Sequence, residues 1–75
     1  MKKNHGVYVF STKQIVDNQE GCFGVELYRS HDGKSQLVAK VVFWDAEGQY
    51  SVETMSEVPL TILEELIQEA RNTGR

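Results

Sequence analysis

Gln36-Leu37-Val38-Ala39-Lys40-Val41-Val42-Phe43-Trp44 is the longest β-branched and aromatic run in the chain. Turn-forming sequences bracket it, His31-Asp32-Gly33-Lys34 before and Asp45-Ala46-Glu47-Gly48 after. A run of this kind between two turn signals reads as a central strand joined to its neighbours by hairpins. Apolar residues fill its odd positions (Leu37, Ala39, Val41, Phe43) and most of its even ones (Val38, Val42, Trp44), so both faces of the strand need cover.

Upstream, Cys22 to Arg29 alternates cleanly, with Phe23, Val25 and Leu27 on one side and Gly24, Glu26 and Tyr28 on the other. Gly24 inside such a pattern marks a bulge or a close approach by another element. Two registers join this strand to the central one. A two-residue Asp32-Gly33 turn sets Leu27 beside Val38 and Val25 beside Lys40. A three-residue His31-Asp32-Gly33 loop sets Leu27 beside Leu37, Val25 beside Ala39 and Phe23 beside Val41. A slip of one residue exchanges the faces, and the second register keeps one face apolar with Lys40 on the Glu26 side, so it is the expected one. Downstream, a three-residue Ala46-Glu47-Gly48 loop sets Tyr50 beside Trp44 and Val52 beside Val42. A four-residue loop moves Tyr50 and Val52 to the other side, and the pattern permits both. Gly6 to Phe10 reads as the first strand, Asp17 to Gly21 as a loop, and Ile15-Val16 fits either a strand or a separate short piece.

After Pro59, Leu60, Leu63, Leu66, Ile67 and Ala70 recur at helical spacing, with Ile62 widening the stripe. The spacing predicts an amphipathic helix from about Pro59 to Asn72, with Thr61 and Glu64 as a capping box if it starts late. The expected fold is α+β: a four-stranded antiparallel β-meander followed by one C-terminal helix packed on one sheet face. The 75 residues make one domain, with residues 1–5 expected as a flexible tail and 73–75 as a frayed end.

Composition narrows the function classes. The net charge is −3, split between +2 over residues 1–40 and −5 over residues 41–75. That balance speaks against a surface built for phosphate contacts. Cys22 is the only cysteine, which excludes an internal disulfide and a cysteine-rich zinc site and fits a reducing, cytoplasmic compartment. The apolar run at the start ends at Phe10, too short for a signal or a membrane span. His5 and His31 lack partners at metal-ligand spacing. Cys22 beginning a strand reads as a small packing residue rather than a nucleophile. Glu53, Glu57, Glu64 and Glu65 are carboxylates without a pocket, and no phosphate-binding glycine loop precedes a helix. The expectation is therefore a non-enzymatic protein with no cofactor, no metal and no membrane partner.

A binding role is what these residues leave. Tyr28, Val38, Lys40, Val42, Trp44, Tyr50 and Val52 form the expected interaction face, on the sheet side that the helix leaves open. Aromatics interleaved with a lysine suit stacked bases as well as protein. The order of four strands then a helix is similar to the PC4-like and Whirly-like nucleic-acid-binding folds, a likeness of architecture that implies single-stranded nucleic-acid binding as the alternative function. The leading expectation is a protein-interaction or adaptor domain that forms a homodimer. A chain this short has a core worth only ~3–5 kcal/mol, and self-association supplies support that a disulfide does not.

Overall fold

The structure, a computed structural model, describes residues 1–73. Its elements are β1 (Lys2–His5), β2 (Tyr8–Asp17), β3 (Cys22–His31), β4 (Lys34–Trp44), β5 (Gln49–Thr54) and α1 (Leu60–Asn72). The strands form one five-stranded antiparallel meander in chain order, so the α+β class is as expected and the strand number is not. Residues 2–5, expected as a tail, are the additional strand: a Gly6-Val7 turn folds them back so that Lys3 opposes Phe10 and His5 opposes Tyr8. β2 is longer than the expected first strand and carries Ile15 opposite Gly24 and Val16 opposite Phe23, so both belong to the sheet.

The β3–β4 hairpin corrects the expected register. The turn is the two-residue Asp32-Gly33, with His31 opposite Lys34 and both turn residues at positive φ (52° and 76°), the conformation that favours Asp-Gly. Continued unchanged, that turn would put Lys40 opposite Val25, on the buried face. A β-bulge between Leu27 and Tyr28 shifts the pairing by one, so that Leu27 meets Ala39, Val25 meets Val41 and Glu26 meets Lys40. Val38 is the extra residue, and its carbonyl accepts the Met55 N–H at 2.8 Å. The bulge satisfies turn chemistry and apolar pattern together, which neither regular register does.

It also moves Val38. Strict alternation puts Val38 and Ala39 on opposite faces, but both are 0 % exposed and belong to one core. That core joins Phe10, Val25, Leu27, Val38, Ala39 and Val41 of the sheet to Ile62, Leu66 and Ala70 of α1. The helix starts at Leu60 with Pro59 as N-cap, has no side-chain cap, and so does not form the Thr61–Glu64 box. Leu60 is 69 % exposed, and the buried line is Ile62, Leu66, Ala70 with Leu63 and Ile67 partly buried beside it. The C-cap is Thr73, whose N–H donates to the Glu69 carbonyl at 3.0 Å and whose hydroxyl donates to the Ala70 carbonyl at 3.1 Å. The rest of the expected frayed end, residues 74–75, lies outside the described residues.

Polar contacts fix the helix against the β1–β2 side of the sheet. Thr12 Oγ1 donates to Glu69 Oε2 at 2.7 Å, and the Met1 ammonium lies 2.9 Å from Glu69 Oε1. Lys3 Nζ reaches Glu65 at 2.8 Å, an exposed pair worth little by itself. On the other flank, Phe43 and Tyr50 meet edge to face at 5.1 Å, Phe23 stacks on Phe43 at 5.1 Å, and the Tyr50 hydroxyl donates to the Ala70 carbonyl at 3.4 Å. The second hairpin therefore has the four-residue loop Asp45–Gly48, with Tyr50 opposite Phe43 and Val52 opposite Val41.

Candidate interaction face

The helix covers one side of the sheet, and side chains alternate, so the remaining strand positions define the open face. Four of the expected interaction residues are on it: Tyr28, Lys40, Val42 and Trp44. Three are not. Val38 is turned into the core by the bulge, and Tyr50 and Val52 pair with Phe43 and Val41 on the helix side. Tyr50 packs against the core there, whereas Val52, on the edge strand, stays 48 % exposed.

The register brings to the open face residues that the sequence reading did not assign. A row of alternating charge crosses four strands: Lys13 on β2 opposes Glu26 on β3, Glu26 opposes Lys40 on β4, and Lys40 opposes Glu53 on β5. The Lys40 ammonium is 3.6 Å from Glu53 Oε1. Opposite charges directly across a strand pair are mutually stabilising. Tyr28 lies beside this row and donates its hydroxyl to Glu26 Oε1 at 2.9 Å. That bond, together with burial, pushes the phenol above its ordinary pKa.

On one side of the charged row, Ile15, Gly24, Val42 and Ser51 run across β2 to β5, followed by Cys22 beside Trp44. On the other side Tyr28 opposes Leu37. Val42 is only 3 % exposed, so it is floor rather than knob. A depression of about 280 Å³ lies over it, bounded by Lys40, Trp44, Ser51 and Glu53. Ile15, Cys22, Tyr28, Leu37 and Trp44 are half-buried. That Glu26 and Lys40 share a face was legible in the sequence; their direct pairing required the bulge, and Lys13, Ile15 and Glu53 required the register of β2 and β5.

No residue larger than glycine fits at Gly24. A Cβ there would stand 2.1 Å from the Val41 carbonyl oxygen and 2.8 Å from the Val42 Cα. The close approach expected at this glycine is thus between β3 and β4 themselves.

The aromatics do not make a stacking track. Trp44 opposes Cys22, six positions along β3 from Tyr28, which at ~3.3 Å per residue separates the two rings' strand positions by about 20 Å. Glu26 and Glu53 stand in the row between them.

A second hollow of about 340 Å³ opens at the end of the sheet, between Val16, Asn18, Phe23, Asp45 and Thr73. It is shaped by the two neighbouring turns, tied together where the Asp45 N–H donates to the Gly21 carbonyl at 2.9 Å. Cys22 borders it and is free. Burial raises its pKa, and the nearby carboxylates of Asp17, Glu20 and Asp45 raise it further against the lowering effect of Lys40. The thiolate is the reactive form, so this site disfavours nucleophilic chemistry. Alkylation of Cys22 by iodoacetamide at pH 8 is expected to be slower than that of free cysteine, and to accelerate above the usual thiol range. A rate equal to or faster than free cysteine at pH 8 would contradict it.

His5 lies in β1 with its ring edge-on to Phe10 at 6.2 Å, and His31 lies edge-on to Tyr8 at 5.4 Å. Among the described residues no three His, Cys, Asp or Glu side chains are grouped to hold a metal ion. Among the same residues no helix is long and apolar enough to cross a membrane. No family model, curated protein or solved structure matches this chain.

Proposed function

We propose that this chain is a non-enzymatic protein-interaction domain of the cytoplasm, and that it associates with a second copy of itself through the open sheet face. The observation that carries the reading is the face itself. One helix covers one side of a five-stranded sheet, and the other side presents Ile15, Tyr28, Leu37 and Trp44 around a charged row. Half-buried aromatic and aliphatic side chains with polar groups between them are the composition of protein interfaces. Two-fold pairing is the commonest way for a small domain to cover such a surface, and it adds buried area to a short chain.

Sedimentation of the free protein at micromolar concentration tests this. The expected mass is twice the 8.5 kDa of one chain. Trp44→Ser should shift the protein toward monomer, whereas Glu64→Gln, on the exposed side of the helix, should not. A monomer across the micromolar range would overturn the proposal.

A further inference from the structure

Building on the open face as a self-association surface, we propose how the two copies pair. They are related by a two-fold axis parallel to the strands and running between β3 and β4, with Glu26 against the partner's Lys40 and Lys13 against the partner's Glu53. Two sheets packed face to face by a two-fold operation have that axis in the plane between them. An axis along the charged row would put each residue of the row over its own copy, Lys13 on lysine and Glu26 on glutamate. An axis along the strands reverses the row instead. β2 then lies over the partner's β5 and β3 over the partner's β4, and every charge of the row meets its opposite. The alternation Lys13, Glu26, Lys40, Glu53 is complementary to its own reversal.

The flanking rows obey the same operation. Trp44, which opposes Cys22 within one sheet, falls over the partner's Cys22, a large side chain on a small one. Ile15, in the Gly24–Val42–Ser51 row, falls over the partner's Ser51, at the rim of the depression above Val42. Tyr28 falls against the partner's Leu37. Trp44 and Ile15 thus meet small residues, as aligned sheets ~10 Å apart require for interdigitation, while Tyr28 and the partner's Leu37 make an aromatic–aliphatic contact at the far end of the face. β1, short and confined to one corner next to β2, stays outside the paired region.

The pairing makes an exchange experiment decisive. In a Glu26→Lys homodimer lysine faces lysine at both symmetric positions, and in a Lys40→Glu homodimer glutamate faces glutamate. Each single variant should therefore associate at least about tenfold more weakly than the parent, because like charges across an interface are strongly unfavourable. Mixed in equal amounts, the two variants restore opposite charges at both positions, and the mixture should sediment as a dimer. Circular dichroism of each variant checks that it is folded, and Lys13→Glu with Glu53→Lys, both at exposed positions, provides an independent pair with the same expectation. If the parent is a dimer that Trp44→Ser weakens, but the mixture stays monomeric or the single variants stay dimeric, the axis is wrong while the face is right. If neither Trp44→Ser nor the charge variants disturb a parent dimer, the copies pair elsewhere, and both readings fall. A monomeric parent also removes both.

Discussion

Leu66→Ala is expected to cost about 2–5 kcal/mol, close to the whole stability of a domain this small. The reason lies in what the helix depends on. α1 has 13 residues, a length at which a helix alone in water is marginal. It carries no side-chain N-cap and no acidic residue in its first turn, so local terms add little. Its place comes from the line Ile62, Leu66, Ala70 lying in the sheet core, where Leu66 is the middle anchor and 0 % exposed. Truncating it leaves a void in the core that the helix shares with the sheet, which backbone elements on two layers cannot collapse to fill. Ile62→Ala should behave alike, Leu63→Ala should cost less, and Leu60→Ala should be nearly neutral. Urea titrations at one fixed protein concentration measure this, the concentration being held because association contributes to apparent stability. Equal midpoints for Leu60→Ala and Leu66→Ala would mean that the helix docks on a different stripe.

That ranking also shows where the sequence was readable. Leu60, Leu63, Leu66, Ile67 and Ala70 with Ile62 define a helix and its general apolar side, but periodicity averages over a broad arc. Only the sheet's surface decides that Ile62 is central and Leu60 outside. The face shared by Phe23, Val25, Leu27, Val41 and Phe43 was likewise legible, because a period of two is unambiguous over a long strand. The bulge at Val38 was not. The Asp-Gly turn and the apolar pattern each specify a register, the two differ by one residue, and nothing local says that a bulge will reconcile them. β1 was not legible either. Lys2, Lys3, Asn4 and His5 are all exposed, so no apolar pattern marks them, and their strand exists only because β2 offers an edge. The open face suffered from the bulge, which moved Val38, and from the second hairpin, which moved Tyr50 and Val52. Tyr28, Lys40, Val42 and Trp44 lie on strands with fixed parity, whereas Tyr50 and Val52 depend on a turn length that both hairpin solutions satisfy.

Gly24→Val is expected to abolish the fold, and Gly24→Ala to lower the melting temperature by well over the few degrees usual for a surface change. In general, alanine in place of glycine stabilises by restricting the unfolded chain, about 0.4–1 kcal/mol where the native backbone accepts it. The backbone of Gly24 is not in the left-handed region, so conformation raises no objection. Space does. The added carbon would sit 2.1 Å from the Val41 carbonyl oxygen, a backbone atom of the paired strand that no rotamer change can move aside. Relief requires β3 and β4 to separate at the Gly24–Val42 position, between the Val25–Val41 and Phe23–Phe43 pairs that hold the core and the aromatic cluster. Overpacking of a core costs ~1–3 kcal/mol when side chains can yield; here they cannot, so the effect belongs at or beyond the upper end. Gly33 supplies the control. It has a positive φ of 76° and nothing within 4 Å of its missing Cβ, so its requirement is conformational, and asparagine, which tolerates that conformation, should substitute for it at small cost. Gly33→Asn folded and Gly24→Asn unfolded, read by far-ultraviolet circular dichroism and thermal melting, is the expected pair of results. A Gly24→Ala protein that melts with the parent would show that β3 and β4 do not approach as closely as the register through Val41 and Val42 demands.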